Sequence, residues 1–148
     1  MSNKIIYLAS LYGFSKHCLK LLPEFITILE SMGARVWESL TSNSSIDISS
    51  PGWANKVVNS NFNDLRQSDA LFAIVNGTPP DEGVMVDIAV AFGQPTFLFR
   101  DDFRKSTDSD EYRLDLMIFL GIPADSWNYY YLEEIDCKKK AIYKWLRN

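Results

Sequence analysis

Three aspartates, Asp64, Asp81 and Asp87, flank a short apolar run of the chain. The run, residues 70–75, has the length and composition of a buried β-strand, and Gly77 follows it closely. Ligands of open α/β sheets bind at the carboxyl ends of the strands. The spacing therefore predicts that the three carboxylates meet at such an edge. There they would supply an acid, a base or a nucleophile to a neutral polar substrate.

Each of these aspartates also has a purely structural interpretation. Asp81 lies where a helix is predicted to begin, so it is suited to cap that helix, and this role is compatible with contacting a substrate. Asp87 lies in the second turn, between Val86 and Ile88. An acid among apolar neighbours is seldom buried without a reason, and the alternative is a solvated helix face. Asp64 near a helix end fits either role.

Tyr7 lies inside the first apolar run of the chain, where an aromatic ring is usually part of the core. A buried tyrosine hydroxyl nevertheless needs a hydrogen-bond partner. In the sheet order predicted below, the first and third strands are neighbours. The Tyr7 hydroxyl is therefore expected to reach a carboxylate at the same edge.

Several other chemistries lack the residues that they require. The chain has a single histidine, His17, and two cysteines, so no zinc site is expected. His17 is next to Cys18 in sequence, and adjacent helical residues point about 100° apart, which makes them a poor catalytic pair. Neither glycine-rich phosphate motif is present, which removes the main support for a dinucleotide or a nucleoside triphosphate.

Composition narrows the class further. The 148 residues predict one domain, 1–148, and a hydrophobic content of 47% argues against disorder. A net charge of −4 argues against a nucleic-acid partner. There is no apolar run long enough to cross a membrane and no pattern of a signal peptide at the start. With two isolated cysteines, we expect a cytoplasmic protein.

Strand-like and helix-like segments alternate along the chain, which predicts a parallel sheet with helices on both faces. Right-handed crossovers favour a flavodoxin-like, Rossmann-like sheet of five strands in the order 2-1-3-4-5. The predicted strands are residues 4–9, 34–38, 70–75, 96–99 and 128–132. The predicted helices are residues 15–33, 52–68, 82–92, 114–120 and 137–146, and residues 41–50 and 100–113 are predicted loops.

Four segments together resemble the nucleoside 2-deoxyribosyltransferase family over nearly the full length. Residues 7–9, followed by a loop with Phe14 and Ser15, are similar to the family's opening strand and loop. Residues 64–70 are similar to its D-[IL]-x-x-[SC]-D-x segment. Residues 81–88 are similar to D-x-G-[TV]-x-x-E-[IL]-G, and residues 114–117 to [FV]-N-L-M.

The resemblance implies an enzyme of nucleotide salvage. It would exchange the base of a deoxynucleoside, for example a purine base, and it would need no cofactor. Its nucleophile corresponds to Asp87, which would attack the anomeric carbon and form a glycosyl ester, as in retaining glycoside chemistry. Tyr7 would orient the nucleophile. Asp64 would contact and protonate the departing base, and Asp81 would bind substrate and handle protons.

The resemblance also implies contacts to the substrate and an assembly. The matching positions are Ala9, Ser10, Phe14, Gly83, Asp115 and Met117. Asp115 would reach the sugar hydroxyls in a neighbouring subunit's site. We therefore expect a homo-oligomer, from dimer to hexamer, whose partners are a nucleoside and a free nucleobase.

The sequence departs from the family pattern at several of these positions. Asp87 stands where glutamate is expected, which retracts the carboxylate by roughly 1 Å, and such a misplacement can cost about 10²-fold in rate. Asp115 stands where asparagine is expected, which exchanges a two-way hydrogen bonder for an acceptor. Ala89 replaces a glycine, and Ser10 begins a Ser-Leu pair in place of Gly-Pro. The added negative charge should disfavour nucleoside phosphates.

Three alternatives remain open at the level of sequence. The first is a nucleoside or nucleotide N-glycosidase that releases the base to water, with Ser10, Ser15 and Lys16 available for a phosphate. The second is a nucleoside-binding module weakened in catalysis by aspartate at position 87. The third is a flavodoxin-like or receiver-like module. The third alternative lacks the additional acids and the lysine of a receiver, and it has no evident pair of flavin-binding loops.

Overall fold

The computed structural model describes residues 3–11, 19–77, 80–100, 127–128 and 141–148. The strands are β1 (Ile5–Ala9), β2 (Arg35–Glu38), β3 (Ala70–Ile74), β4 (Thr96–Phe99) and the two-residue β5 (Trp127–Asn128). The helices are α1 (Leu21–Ser31), α2 (Ser39–Ser42), α3 (Trp53–Gln67), α4 (Glu82–Val90) and α5 (Ala141–Arg147).

The first four strands form a parallel sheet in the order β2-β1-β3-β4, which confirms the predicted order for these strands. Tyr7 of β1 is in register with Trp37 of β2 and Leu71 of β3. The two residues of β5 pair in parallel with the end of β4. Most of the predicted fifth strand, 128–132, lies outside the described residues, so a full five-stranded sheet stays a prediction.

Apolar side chains cover both faces of the sheet, because neighbouring residues of a strand point to opposite sides. On one face α1 and α5 pack on Ile6, Leu8 and Phe72. On the other face α3 and α4 pack on Tyr7, Leu71 and neighbouring residues through Leu65, Val84 and Ile88. The prediction of helices on both faces is confirmed. The second face is the one that holds Tyr7.

Some local predictions were wrong at the ends of helices. Within the described residues α1 begins at Leu21, so Pro23 lies in its first turn, where a missing N–H costs nothing. The helical spacing of apolar residues predicts Leu19 on the inner face of this helix, but Leu19 precedes α1 and is 42% exposed. The pattern of the predicted helix 52–68 places Trp53 inward, but Trp53 lies at the start of α3 and is also 42% exposed. The predicted loop 41–50 begins inside the short helix α2.

Other predictions lie outside the described residues. These are the start of the predicted helix 15–33, where Ser15 is suited to be the N-cap, the helix 114–120, most of the loop 100–113 and the first turn of the last helix. None of the described helices has the length and apolarity that would be needed to cross a bilayer.

Candidate active site

The candidate site lies at the carboxyl edge of the sheet, where β1 and β3 end side by side. The pairing of Ala9 with Ala73 brings the end of β1 beside β3. After β3, residues 75–81 lead to the start of α4. The side chain of Asp81 caps this helix, because its Oδ1 atom accepts the backbone N–H of Val84 at 3.1 Å. The capping role predicted for Asp81 is confirmed.

Gly83 lies in the first turn of α4, directly beside this cap. A Cβ atom at position 83 would lie 3.0 Å from Asp81 Oδ1, tighter than most real Cβ contacts, so the carboxylate would have to shift. The absence of a side chain at Gly83 therefore leaves room for the Asp81 carboxylate over the end of the helix. This geometry gives Gly83 a physical role that does not depend on a bound substrate.

Asp87 lies in the second turn of α4 and is partly buried, between the buried Ile88 and the 48% exposed Val86. Its exposure is intermediate between the buried position and the solvated helix face that the sequence allowed. Burial, and secondly the charge of Asp81, raise the pKa of the Asp87 carboxyl to about 6. At neutral pH the group is therefore mostly ionised but poorly solvated, a state suited to a nucleophile or a base.

Tyr7 is 1% exposed, and its ring packs in the core of the second face. Burial raises the pKa of its phenol, and so do the charges of Asp87, Asp64 and Glu38, in decreasing order. The negative charges of all three carboxylates therefore act on the Tyr7 hydroxyl. The phenol stays protonated at neutral pH, so Tyr7 can donate a hydrogen bond to a carboxylate.

Asp64 approaches the site from α3, in the last turn of that helix. Its backbone carbonyl accepts the N–H of Ser68 at 2.9 Å, and the Ser68 hydroxyl donates to the carbonyl of Leu65 at 2.7 Å. These contacts fix the end of the helix before β3 begins. One turn earlier, the side chain of Asn43 donates to Asn61 Oδ1 at 2.7 Å, which ties α3 to the segment that follows α2.

Two charged residues at this edge were not recognised from the sequence. Glu38 is 6% exposed, and its two carboxylate oxygens accept the N–H groups of Leu40 (2.7 Å) and Thr41 (2.6 Å). It therefore caps α2 and adds negative charge near Tyr7. The signal available was a glutamate at a strand end followed by Ser-Leu-Thr, a sequence without a strong preference for a short helix.

The second unrecognised residue is Arg100, which was assigned to a charged loop. Arg100 does follow the end of β4, as that prediction has it, but its side chain is fully buried. Its Nη1 atom donates to the backbone carbonyls of Val75 (2.6 Å) and Gly77 (2.8 Å). Both carbonyls belong to the segment between β3 and α4, 25 and 23 residues away in sequence. No local pattern could reveal partners so distant.

The other predicted site residues divide into two groups. Ala9 is buried at the end of β1 and Ser10 follows it, half-buried, so both lie at the carboxyl edge as expected. Phe14, Asp115 and Met117 lie outside the described residues, and their contacts stay predictions. Among the residues that the structure describes, no group of three metal-ligating side chains is placed to hold a metal ion.

A cavity of about 760 Å³ lies at the opposite edge, and its lining includes Lys4, Asp69 and Arg147. Its charged groups have structural partners. Lys4 Nζ donates to the carbonyl of Trp145 at 2.6 Å, and the Asp69 carboxylate accepts the N–H of Ile5 at 2.7 Å. The three aspartates lie towards the other end of the strands.

The fold and the cluster together define an α/β protein with a carboxylate-lined site at the carboxyl edge of a parallel sheet. The chain belongs to the nucleoside 2-deoxyribosyltransferase family, whose model matches residues 6–117. The resemblance noted in the sequence is thereby confirmed. No curated protein sequence matches the chain.

Solved structures with the same fold include two 2-deoxyribosyltransferases. The protein from the psychrotolerant bacterium Bacillus psychrosaccharolyticus is 20% identical, with 90% of each chain covered and a TM-score of 0.70. The protein from Leishmania mexicana is 19% identical, with 78% of this chain and 85% of that chain covered and a TM-score of 0.61. A CMP N-glycosidase from Clostridium botulinum is 20% identical, with 98% of this chain and 100% of that chain covered and a TM-score of 0.54.

Proposed function

We propose that the protein transfers a ribosyl or deoxyribosyl group between nucleobases through a covalent ester on Asp87. The observation that carries this proposal is the partly buried Asp87 carboxylate, whose charge acts on the buried Tyr7 hydroxyl. Membership of the deoxyribosyltransferase family supports the reaction class.

The reaction proceeds in two displacements at the anomeric carbon. A carboxylate oxygen of Asp87 forms a bond to this carbon while the bond to the base nitrogen breaks, and the electron pair leaves with the base. Asp64 or Asp81 delivers a proton to the departing base. A second base then attacks the anomeric carbon from the opposite face, loses a proton to the same group and frees the Asp87 carboxylate. Atoms and charges balance without a cofactor.

The environment of Asp87 favours the first step. A carboxylate that has lost part of its hydration needs less solvent reorganisation to attack. The protonated Tyr7 hydroxyl can hold one of its oxygens while the other attacks, which sets the orientation of the nucleophile. Asp81 is held in place by its hydrogen bond with the N–H of Val84, so the second carboxylate has a fixed position as well.

We also propose a homo-oligomer in which a neighbouring subunit completes each site. Phe92 is 74% exposed and Val86 is 48% exposed, at the end and on the outer side of α4. Exposed apolar side chains of this size mark surfaces that another protein covers. Because α4 also carries Asp87, a neighbour on this helix would lie close to the site, where the family resemblance places Asp115.

A direct test is incubation with deoxyinosine and adenine, followed by chromatography for deoxyadenosine. The protein is expected to form deoxyadenosine, and Asp87→Ala is expected to abolish the exchange. Asp47→Ala is a matched control, since Asp47 is exposed and its carboxylate accepts hydrogen bonds from Ser49 in the turn before α3. Exchange that survives in Asp87→Ala would contradict the proposed nucleophile.

The N-glycosidase alternative has one specific observation in its favour, the structural likeness to the CMP N-glycosidase of Clostridium botulinum. The two activities differ in the second displacement, where water replaces the acceptor base. Incubation with a nucleoside or CMP alone therefore separates them. Rapid release of free base without an acceptor would identify a hydrolase. Binding of a nucleoside by calorimetry without turnover over hours would identify a binding module.

A further inference from the structure

The guanidinium of Arg100 is placed where the end of β4 meets the segment that follows β3. The N–H of Val75 donates to the carbonyl of Phe99 at 2.9 Å, so β3 and β4 stay paired up to the residue before Arg100. The arginine side chain then turns onto this neighbouring segment and donates to the carbonyls of Val75 and Gly77. Full burial of a guanidinium is costly, so hydrogen bonds of this kind must compensate it.

The segment that Arg100 holds determines where α4 begins. Gly77 has φ +103°, a conformation that side chains rarely adopt, and it forms an antiparallel bridge with Pro80. The next residue is Asp81, whose carboxylate caps α4, and Asp87 follows in the second turn. A change in the backbone at Gly77 would therefore displace the start of the helix that carries both carboxylates.

We propose that Arg100 is a positioning residue for Asp81 and Asp87, and that it acts by fixing the backbone between β3 and α4. The expected effect of Arg100 on catalysis rests on the proposed function. The expected effect of Arg100 on the start of α4 is independent of that function.

The hydrogen bonds themselves indicate that Arg100 acts through the backbone. Both go to carbonyl oxygens of the turn, at 2.6 and 2.8 Å. Arg100 is thus connected to the carboxylates by the chain itself, over the few residues from Val75 to Asp81.

The first test compares Arg100→Met, which removes the donors, with Arg100→Lys, which keeps a charged donor. In base exchange we expect kcat to fall roughly 10–100-fold in Arg100→Met, because a small misplacement of the nucleophile has an effect of this size. The KM should change much less, and Arg100→Lys should keep most of the rate. Equal losses in both variants, or a rise in KM with kcat unchanged, would overturn the inference.

The control for general destabilisation is Phe97→Ala. Phe97 lies on the same strand, but its ring packs on the first face with Trp145, 5.6 Å between ring centroids. This variant should lower the melting temperature with kcat retained well below it. The ratio of the loss in kcat to the loss in melting temperature is then compared between the two variants. An equal ratio in Phe97→Ala and Arg100→Met would show that Arg100 is only a stabilising residue. If Arg100→Met does not fold, Arg100→Gln takes its place in each comparison.

The second test does not depend on activity. Amide hydrogen exchange at Val84 reports the Asp81 cap, since this N–H is the one that Asp81 accepts. Exchange at Val84 should become at least tenfold faster in Arg100→Met but not in Arg100→Lys, relative to amides of α1. Unchanged protection at Val84 would overturn the inference. If the wild type shows neither base exchange nor hydrolysis of nucleosides, the proposed function fails. The amide hydrogen exchange at Val84 then still decides the role of Arg100.

Discussion

Replacement of Asp87 by asparagine is expected to make the protein more stable at neutral pH while it removes activity. The substitution keeps the shape of the side chain and removes its charge. In the folded protein, burial and the charge of Asp81 raise the pKa of this carboxyl from 3.8 to about 6. The fold therefore favours the protonated form, and above pH 6 it must hold an ionised group that is poorly solvated.

The size of the effect follows from the two pKa values. Each pKa unit corresponds to about 1.4 kcal/mol, so full ionisation of Asp87 costs the fold at most roughly 3 kcal/mol. The cost is complete above the folded pKa and vanishes below the unfolded one. The gain in Asp87→Asn should thus approach 3 kcal/mol at pH 8, and it should shrink to roughly 1 kcal/mol at pH 4.5.

The assay is urea unfolding of both proteins at one protein concentration across this pH range. Asp47→Asn is the control, because the pKa of Asp47 is shifted in the opposite direction to that of Asp87. Hydrogen bonds from the Ser49 hydroxyl and N–H lower the pKa of the exposed Asp47, so loss of its charge should give no gain at neutral pH. An Asp87→Asn protein that is no more stable at pH 8, or whose advantage does not shrink on acidification, would refute the reasoning.

Three further predictions concern the rate and the assembly. The acid limb of kcat/KM should have an apparent pKa of about 6, and Asp81→Asn should move it to lower pH, because it removes a like charge beside Asp87. Gly83→Ala should lower kcat despite the better helix propensity of alanine, since the new Cβ would lie 3.0 Å from Asp81 Oδ1 and the capping carboxylate would have to shift. Phe92→Glu should shift the elution volume on size exclusion towards a smaller species, and an unchanged volume would argue against a subunit contact at this residue.

The strands and the main helices could be predicted because their signals are local. The run Thr96–Phe99 has the bounds of β4 in the structure, and the predicted helix 52–68 differs from α3 by one residue at each end. Continuous apolar runs indicated strands covered on both sides, and the structure has them buried. The influence of Asp87 and Asp64 on Tyr7 agrees with the strand order, which places β1 beside β3, while a direct contact of the Tyr7 hydroxyl with a carboxylate stays a prediction.

What could not be predicted depends on contacts between distant segments. The burial of Arg100 requires carbonyl partners from the end of β3, which no pattern around residue 100 indicates. Glu38 caps a helix too short to show a periodic pattern. The exposure of Leu19 and Trp53 was missed because helical spacing does not show where the core ends.

The central claim is that the carboxylate of Asp87 forms a bond with the sugar carbon that carries the base. A nucleoside with fluorine on the sugar slows the second displacement, so the intermediate should accumulate and can be weighed. We expect a mass increase equal to the fluorinated glycosyl group, and peptide sequencing should locate it on Asp87. Continued turnover of the donor with no adduct at Asp87 would contradict the claim.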